Sequence, residues 1–342
     1  MRAFISGLAG STLNDTERAF LRDAQPWGLI VFQRNVTAPG ALKRLTEDCR
    51  SVLGRAAPIL VDQEGGRVQR LGPPHWPKYP PAAAYGRLYD RDHARGLAAA
   101  RLGARLIAVD LAAMGIDVDC MPVADVPAAA ADAVIGDRAF GNDPQKVAAL
   151  ASAFAEGLAE GGVLPVIKHI PGHGRATADS HQKLPRVTAE RATLETSDFA
   201  AFRPLAGLPL AMTAHVVFTA IDPIAPATTS PVIVRDVIRA SIGYQGLLMS
   251  DDLSMGALNG PLGERTRAAI SAGCDMALHC NGNMDEMLQV AAAAPLLAGE
   301  AARRAEAALA SRKPAMPLDV AVKRAEFAAL MNAVWEPARG SA

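Results

Sequence analysis

Short apolar runs alternate along the chain with longer segments rich in Ala, Leu, Glu and Arg. Each run has the length of a β-strand and is apolar at nearly every position, which is typical of a strand covered on both faces of its sheet. We predict strands over the following runs: Ala3–Ser6, Gly28–Phe32, Ile59–Asp62, Ile116–Met121, Val163–Lys168, Leu208–Thr213, Gly246–Ser250 and Cys274–Leu278.

The segments between these runs predict helices, and several open with Pro, which suits the first helical position. The predicted helices span Pro39–Leu53, His93–Met114, Pro144–Glu160, Pro231–Ser241 and Glu264–Ala272, with a weaker one over Glu190–Leu205. Eight strand–helix repeats predict the α/β class and a (β/α)8 TIM barrel with a C-terminal helical tail. An open doubly wound sheet is the alternative, but no GxGxxG pattern follows an early strand.

Composition narrows the possible functions. Half of the 342 residues are hydrophobic, and 35 Lys and Arg balance 35 Asp and Glu. A neutral chain without basic runs gives no support for binding nucleic acid or an acidic membrane surface. No apolar run approaches the ~18 residues of a spanning helix, and we interpret the opening run as a strand instead of a signal peptide. The cysteines, Cys49, Cys120, Cys274 and Cys280, form no CxxC pair, so we expect a reducing, cytoplasmic compartment.

Polar side chains follow nearly every predicted strand. In this fold the active site lies at the C-terminal ends of the strands. The polar residues predicted there are Gln33, Arg34, Asp62, Glu64, Asp125, Lys168, His169, His215, Asp251, Asp252 and His279. Their number predicts a polar pocket for a ligand with many hydroxyl groups.

The segment Lys168–Gly174 (KHIPGHG) directly follows a predicted strand, and Asp179 and His181 come soon after it. One Pro and two Gly residues exclude a regular helix, so these groups lie on a loop. In extended backbone, side chains at i and i+2 point the same way. Asp179 can therefore orient the His181 imidazole for proton transfer, as Asp does in hydrolase triads. A surface Asp–His pair without a function is the alternative.

Two further segments place carboxylates at strand ends. Asp251 and Asp252 end the seventh strand, where a carboxylate can act as a nucleophile or cap the next turn. The segment Asp62–Arg70 (DQEGGRVQR) contains a Gly pair that permits a tight turn returning Arg70 toward the barrel mouth. A carboxylate with a guanidinium is an ordinary clamp for sugar hydroxyls. Arg138 is a weaker candidate, because it could equally stabilise a loop.

Together these segments resemble a known family. The segment Lys168–Gly174 with Asp179-Ser180-His181, joined to Ser250–Met255 (SDDLSM), strongly resembles glycoside hydrolase family 3. It is most similar to the β-N-acetylglucosaminidase branch, the β-hexosaminidases of bacterial cell-wall recycling. The segment Asp62–Arg70 matches the Asp-x-Glu-Gly-Gly-x-Val-x-Arg pattern of that family. Ile170 stands where the family usually has Phe, which exchanges one apolar side chain for another.

The resemblance implies a role for each matching residue. Asp251 is expected to be the nucleophile and His181 the general acid–base residue, with Asp179 as its partner. The remaining matched residues are expected to bind N-acetylglucosamine in the −1 subsite: Asp62, Arg70, Arg138, Lys168 and His169. The implied reaction is retaining hydrolysis through a covalent glycosyl-enzyme. The implied fold is a single catalytic barrel domain over residues 1–342, which needs no cofactor and no metal.

The resemblance also implies a substrate, a cellular compartment and an oligomeric state. The expected substrate is a peptidoglycan fragment, N-acetylglucosamine linked β-1,4 to 1,6-anhydro-N-acetylmuramic acid, with or without its peptide. The expected protein is a cytoplasmic monomer whose partner is this small carbohydrate, with no nucleic acid and no membrane. His173 and His215 are expected to support the pocket through hydrogen bonds instead of taking part in the chemistry.

Other functions stay open on the sequence alone. A metal-dependent barrel hydrolase could use the strand-end histidines, although Pro171 and the glycines deny His169 and His173 a shared helical face. The 2-acetamido group of the substrate could instead be the attacking group, with Asp252 or Asp251 as the adjacent carboxylate that orients it. A histidine acid–base residue also permits phosphorolysis, because it would not repel phosphate as a carboxylate does. A sugar-binding protein without catalysis is the alternative outside enzymes.

Overall fold

The predicted strands close into a barrel. The computed structural model describes residues 1–128, 134–176, 179–180 and 183–335. Within those ranges the barrel strands are β1 (Arg2–Gly7), β2 (Pro26–Val31), β3 (Ile59–Val61), β4 (Val118–Asp119), β5 (Leu164–Ile170), β6 (Leu210–Thr213), β7 (Leu247–Asp252) and β8 (Met276–His279). Neighbouring strands are parallel and follow chain order, and β8 pairs with β1. The predicted (β/α)8 TIM barrel is confirmed.

Helices surround the barrel and continue into a C-terminal tail. They are α1 (Asp15–Ala24), α2 (Pro39–Leu53), α3 (Ala82–Arg91), α4 (His93–Ala113), α5 (Pro144–Glu160), α6 (Arg191–Thr196), α7 (Asp198–Phe202), α8 (Ile233–Ser241, with π-type hydrogen bonds), α9 (Leu262–Ala272), α10 (Met284–Ala293), α11 (Gly299–Ala310) and α12 (Val320–Met331). Among the described residues, no helix is both long and apolar enough to cross a membrane. Short sheets extend beyond the strand ends: a hairpin of Gln63–Gly65 with Val68–Gln69, and a parallel pair of Arg186–Val187 with Val217–Phe218.

The prediction of one helix over Glu190–Leu205 is wrong. The segment divides into α6, α7 and a 3-10 turn at Arg203–Leu205. The break falls at Ser197, whose backbone leaves the helical region and whose hydroxyl donates to the Thr193 carbonyl at 2.6 Å. The Ser197 amide donates to the same carbonyl at 3.1 Å, whereas the Glu195 carbonyl two residues earlier accepts from the Arg203 guanidinium at 2.6 Å, so the regular helical hydrogen-bond pattern ends here.

Alternation along the strands divides the core into two layers. In β1, Ala3 and Ile5 point into the barrel, whereas Phe4 packs outward against the helices. In β2, Ile30 points inward and Leu29 outward. Because successive side chains point to opposite faces of a strand, both faces must be apolar when helices cover the outside. This explains why the strand runs are continuously apolar in the sequence.

Buried ion pairs hold surrounding helices, among them α2, α8 and α11, to the N-terminal ends of the strands. Asp275 precedes β8, is 5% exposed, and accepts from Arg239 (2.9 Å) and from Arg304 of α11 (3.0 Å). The same carboxylate accepts from the Leu248 amide at 2.9 Å. Asp117, before β4, pairs in the same way with Arg50 and with Arg312, just after α11. Both carboxylates are therefore engaged in contacts that stabilise the fold.

We expect Asp275→Ala to destabilise the fold by about 3–5 kcal/mol, because it leaves two largely buried guanidinium groups and one amide without their acceptor. Urea unfolding followed by circular dichroism measures this loss. The matched control is Glu326→Ala, which removes an exposed carboxylate that pairs with Lys323 on α12 and is expected to leave the midpoint unchanged. Equal midpoints for Asp275→Ala and wild type would contradict the structural role of Asp275.

Candidate active site

A cavity of about 890 Å³, including open space at its mouth, lies at the C-terminal ends of the barrel strands. The residues that the sequence suggests for catalysis or sugar binding line it together: Asp62, Arg70, Arg138, Lys168, His169, Asp179 and Asp251. His181 lies outside the described residues. The structure therefore brings together all of the described candidates, which come from five separate parts of the chain.

Asp62 lies at the centre of a charged cluster on the cavity floor. Its carboxylate accepts from Lys168 Nζ at 2.8 Å and from an Arg70 guanidinium nitrogen at 3.2 Å. Burial by itself would raise the pKa of Asp62, but the charges of Lys168 and Arg70 outweigh burial and hold that pKa well below its usual range. Asp62 is therefore an ionised acceptor that faces the cavity.

Glu64 is a member of this cluster that the list of sugar-binding candidates missed. Both carboxylate oxygens accept from Arg138 at 2.8 Å, and Lys168 Nζ lies 2.7 Å from one of them. Burial opposes ionisation, yet Arg138 and Lys168 lower the pKa of Glu64 to about 2. The sequence does contain a signal for this location, because Glu64 follows Asp62 at i+2, and side chains two positions apart in extended backbone point to the same side.

The hairpin after β3 places these groups. Gly65 has φ +87°, and a Cβ there would lie 2.3 Å from the Pro80 carbonyl oxygen, so the turn requires glycine. Gln63 points away from the cavity and is fully buried. Its side-chain oxygen accepts from the amides of Arg70 (2.9 Å) and Leu71 (3.0 Å). The hairpin thus returns Arg70 to the barrel mouth, as its two glycines predict.

A buried carboxylate shapes the loop that follows β5. Asp125 is fully buried and accepts from the backbone amides of His169 (3.2 Å) and His173 (2.6 Å). Its other oxygen accepts from His169 Nδ1 at 2.7 Å. Burial opposes ionisation of Asp125, but the neighbouring His169 imidazole lowers its pKa. Asp125 therefore fixes the backbone of the loop and orients the His169 ring without lining the cavity itself.

Asp251 and Asp252 have different surroundings. Asp252 accepts from the Ser254 amide (3.0 Å), the Ser254 hydroxyl (2.7 Å) and the Cys280 amide (3.2 Å), so it caps the turn after β7. Asp251 Oδ1 accepts from the Asp252 amide at 2.8 Å, and no described residue donates to its Oδ2. Burial raises the pKa of Asp251, but the imidazoles of His215 and His169 lead the effects that lower it below the usual range. Asp251 therefore presents an ionised oxygen to the cavity.

Several polar residues predicted at strand ends support the walls instead of lining the cavity. His215 Nε2 donates to the Asp252 carbonyl at 3.0 Å, and its Nδ1 lies 2.7 Å from the Thr228 hydroxyl. His279 pairs with Glu286 at 3.0 Å. Arg34 donates to the carbonyls of Leu8 and Cys280. These contacts agree with the supporting role expected for His215.

His173 does line the cavity, but its ring is buried. Its Nε2 lies 3.1 Å from the Ser180 hydroxyl, and its Nδ1 has no partner among the described residues. Burial lowers the pKa of His173 to about 4, and the adjacent His169 adds to the effect. Within the described part of the chain, no group of three or more His, Cys, Asp or Glu is arranged to hold a metal ion.

Comparison with known proteins identifies the family. The model of the glycosyl hydrolase family 3 N terminal domain matches residues 5–308. The β-hexosaminidase of Alkalilimnicola ehrlichii is 43% identical over 279 residues, which cover 80% of this chain and 79% of that relative. The β-hexosaminidase of Chromobacterium violaceum is 38% identical over 331 residues, which cover 96% and 92%. The chain belongs to glycoside hydrolase family 3.

Solved structures of the family agree with this assignment. The crystal structure of NagZ from Neisseria gonorrhoeae in complex with N-trifluoroacetyl-D-glucosamine superposes with a TM-score of 0.83 at 32% identity. The match covers 97% of this chain and 96% of NagZ. The family resemblance of the sequence motifs is thus confirmed, and this glycoside hydrolase has β-hexosaminidases as its relatives.

We expect His173→Gln to weaken the acid sensitivity of the glycoside hydrolase. The folded state holds the pKa of His173 at about 4 against an ordinary value of 6.5, so the unfolded chain binds this proton first as the pH falls. The stability that the neutral ring provides is complete above pH 6.5 and is lost toward pH 4. Glutamine does not titrate, so the variant lacks this loss.

Urea unfolding of both proteins at about pH 7, 5.5 and 4.5 measures how the free energy of unfolding changes with pH. Uptake of one proton can contribute at most about 1.4 kcal/mol per pH unit to that slope. All other titrating groups are common to the two proteins, so the difference between the two slopes isolates His173. Glu64 affects stability in a lower pH range: the stability from its ionised form is lost as the pH falls from 4.5 to about 2. Identical pH dependence for variant and wild type would show that His173 is not held neutral.

Proposed function

We propose that this glycoside hydrolase is a retaining exo-β-N-acetylglucosaminidase. Its proposed substrate is a peptidoglycan fragment in which N-acetylglucosamine is linked β-1,4 to 1,6-anhydro-N-acetylmuramic acid, with or without a peptide. The names of the curated relatives and the N-acylglucosamine bound in the gonococcal NagZ structure support the sugar. The observation that carries the proposal is the Asp251 Oδ2 atom, a carboxylate oxygen in the cavity with no donor from the described residues.

The first step forms a glycosyl-enzyme. Asp251 Oδ2 attacks the anomeric carbon while the bond from that carbon to the leaving oxygen breaks. His181 gives its proton to that oxygen, so the leaving sugar departs as an alcohol. The lowered pKa of Asp251 keeps the nucleophile ionised near neutral pH. His215 holds the Asp252 carbonyl and so fixes the end of β7 behind the nucleophile.

The second step releases the sugar. Water attacks the anomeric carbon, His181 removes its proton, and the ester bond to Asp251 breaks with overall retention of configuration. Asp179, which lines the same cavity, is proposed to orient His181 and to stabilise its charged form. An imidazole with an ordinary pKa near ~6.5 can exchange a proton in both directions around neutral pH.

The charged cluster is proposed to bind the −1 sugar. Asp62 can accept from sugar hydroxyls, and Arg70 and Lys168 can donate to neighbouring ones without leaving their carboxylate partners. Arg138 and His169 complete the proposed subsite. Because the ion pairs already hold these side chains in place, the sugar binds without the entropic cost of ordering them.

The cysteines bear on the cellular compartment in which the enzyme acts. All four cysteines of the sequence lie in described segments, and all are buried free thiols. Free thiols fit a reducing compartment, so we propose a cytoplasmic enzyme of cell-wall recycling that acts as a monomer over a single domain. Activity on intact muropeptide fragments, compared with their peptide-free forms, would define the substrate more closely.

Substitution of Asp251 tests the proposed nucleophile. With 4-nitrophenyl N-acetyl-β-glucosaminide, we expect Asp251→Asn to lower kcat by about 10³- to 10⁶-fold, as loss of a catalytic nucleophile does. His181→Ala should cost less on this substrate than on the natural disaccharide, because nitrophenolate leaves without protonation. The matched control is Asp252→Asn, which keeps an acceptor for the Ser254 and Cys280 amides and should remain active within about tenfold. Near-normal activity of Asp251→Asn would disprove the assignment.

A 2-acetamido-2-deoxy-5-fluoroglycosyl fluoride is expected to trap the covalent intermediate on Asp251, since the fluorine slows both steps and the good leaving group favours the first. Peptide mass spectrometry locates the added sugar. An enzyme that turns over but never carries the adduct would instead support attack by the substrate acetamido group. Product analysis in phosphate buffer accompanies this experiment, and release of sugar phosphate in place of free sugar would support phosphorolysis.

A further inference from the structure

We propose that the C-terminal helix α12 positions the sugar-binding loop of the active site, with Tyr79 as the connecting residue. The sugar-binding loop is defined here as residues 62–71, which include Asp62, Glu64 and Arg70. This inference rests on the proposed function, because it assigns a role to residues that act on the proposed −1 subsite. None of the residues of α12 lines the active-site cavity.

Arg324 of α12 forms one side of the connection. Its guanidinium donates to Asp110 of α4 at 2.7 Å and to the Tyr79 hydroxyl at 3.2 Å. The Tyr79 hydroxyl in turn donates to the other Asp110 oxygen at 2.6 Å. The Arg324 guanidinium, the Asp110 carboxylate and the Tyr79 hydroxyl are therefore all hydrogen bonded to one another. Tyr79 is 1% exposed, so its hydroxyl depends on these two partners.

Phe327, one turn further along α12, packs against the same residue. Its ring centre lies 6.5 Å from that of Tyr79 and 6.2 Å from that of Tyr85 in α3. The helix approaches α4 closely at Gly103, where a Cβ would lie 2.8 Å from the Phe327 ring. Polar and apolar contacts thus hold the Tyr79 ring from the side of α12.

The backbone of Tyr79 forms the other side of the connection. Its carbonyl accepts from the Gly66 amide at 2.9 Å, and its amide donates to Gln69 Oε1 at 2.9 Å. Gln69 Nε2 donates to the carbonyls of Leu71 (2.7 Å) and Pro77 (2.8 Å). The turn at Gly65 packs directly on Pro80, which follows Tyr79. The sugar-binding loop is therefore hydrogen bonded to the segment that α12 holds.

This arrangement separates substrate positioning from the chemical step. The loop carries Asp62, Glu64 and Arg70, whereas Asp251 lies on β7 and is fixed by its own contacts. Weakening the Arg324–Tyr79 connection should loosen the loop and reduce sugar binding. Turnover of bound substrate should change little, because the nucleophile stays in place. The expected sign is a higher KM with a nearly unchanged kcat.

The test compares Arg324→Ala with Lys323→Ala in the full-length enzyme. Lys323 is the neighbouring residue on α12 and pairs only with the exposed Glu326, among the described residues. Arg324→Ala is expected to raise KM for 4-nitrophenyl N-acetyl-β-glucosaminide by about two- to tenfold, the range for one lost hydrogen bond, with kcat within twofold. Arg324→Lys, which keeps the charge, should recover part of the loss. Lys323→Ala should match wild type.

Hydrogen exchange provides a readout that does not need turnover. In Arg324→Ala, the amides of Gly66, Arg70 and Leu71 should exchange faster, while those of β6 on the other side of the barrel stay as in wild type. Tyr79→Phe removes only the hydroxyl and should give the same pattern, so it replaces Arg324→Ala if that variant does not fold.

Unchanged KM and unchanged loop exchange in both variants would overturn the proposal. Faster exchange throughout the barrel would also overturn it, since α12 would then stabilise the fold without positioning the loop. If the wild type itself fails to cleave the substrate, the proposed function is wrong. The exchange experiment still decides whether α12 holds the loop.

Discussion

A buried ammonium group between two carboxylates is the interaction on which the candidate active site depends. Lys168 is 2% exposed and lies within 2.8 Å of both Asp62 and Glu64. A charge removed from water to this extent is tolerated only when paired, and each carboxylate in turn needs a second cation. Arg70 supplies it for Asp62 and Arg138 for Glu64. The loop after β3, the end of β5 and the segment around Arg138 must therefore lie close together, or each would leave a charge unsatisfied.

Charged groups occur at both ends of the barrel, and the way they are paired distinguishes the two ends. At the N-terminal ends of the strands, Asp275 accepts from two guanidinium groups and a backbone amide, and it is buried among these partners. At the C-terminal ends, Asp252 lines the cavity, but both of its oxygens accept hydrogen bonds in capping a turn. Asp251, one residue earlier, keeps one oxygen without a described donor. A carboxylate at a strand end is thus a candidate for chemistry in this barrel when one of its oxygens lacks a protein donor, and its location alone does not decide this.

The sequence predicted those parts of the molecule that depend on local pattern. Continuous apolar runs located all of the barrel strands, and the helices Pro39–Leu53 and Pro144–Glu160 agree to the residue. It did not predict the break at Ser197, where the Arg203 guanidinium takes the Glu195 carbonyl, nor the role of Asp125, whose partners lie more than forty positions away. Glu64 was recognised as polar but not as the partner of Arg138, because that pairing joins residues 74 positions apart. Such contacts follow from how the loops meet, which no local pattern encodes.

The charge already present in the cavity gives a physical reason for an imidazole as the proposed acid–base group. Asp62, Glu64 and Asp251 are all ionised, since their pKa values lie below the usual range. The nearby cations Lys168, Arg70 and Arg138 pair with Asp62 and Glu64 and not with Asp251, although Lys168 is among the charges that lower the pKa of Asp251. A second carboxylic acid beside Asp251 would have to lose its proton during the reaction next to an existing negative charge, which raises the cost of that step. A histidine becomes neutral when it gives up its proton, so it can alternate between acid and base without adding a negative charge to the site.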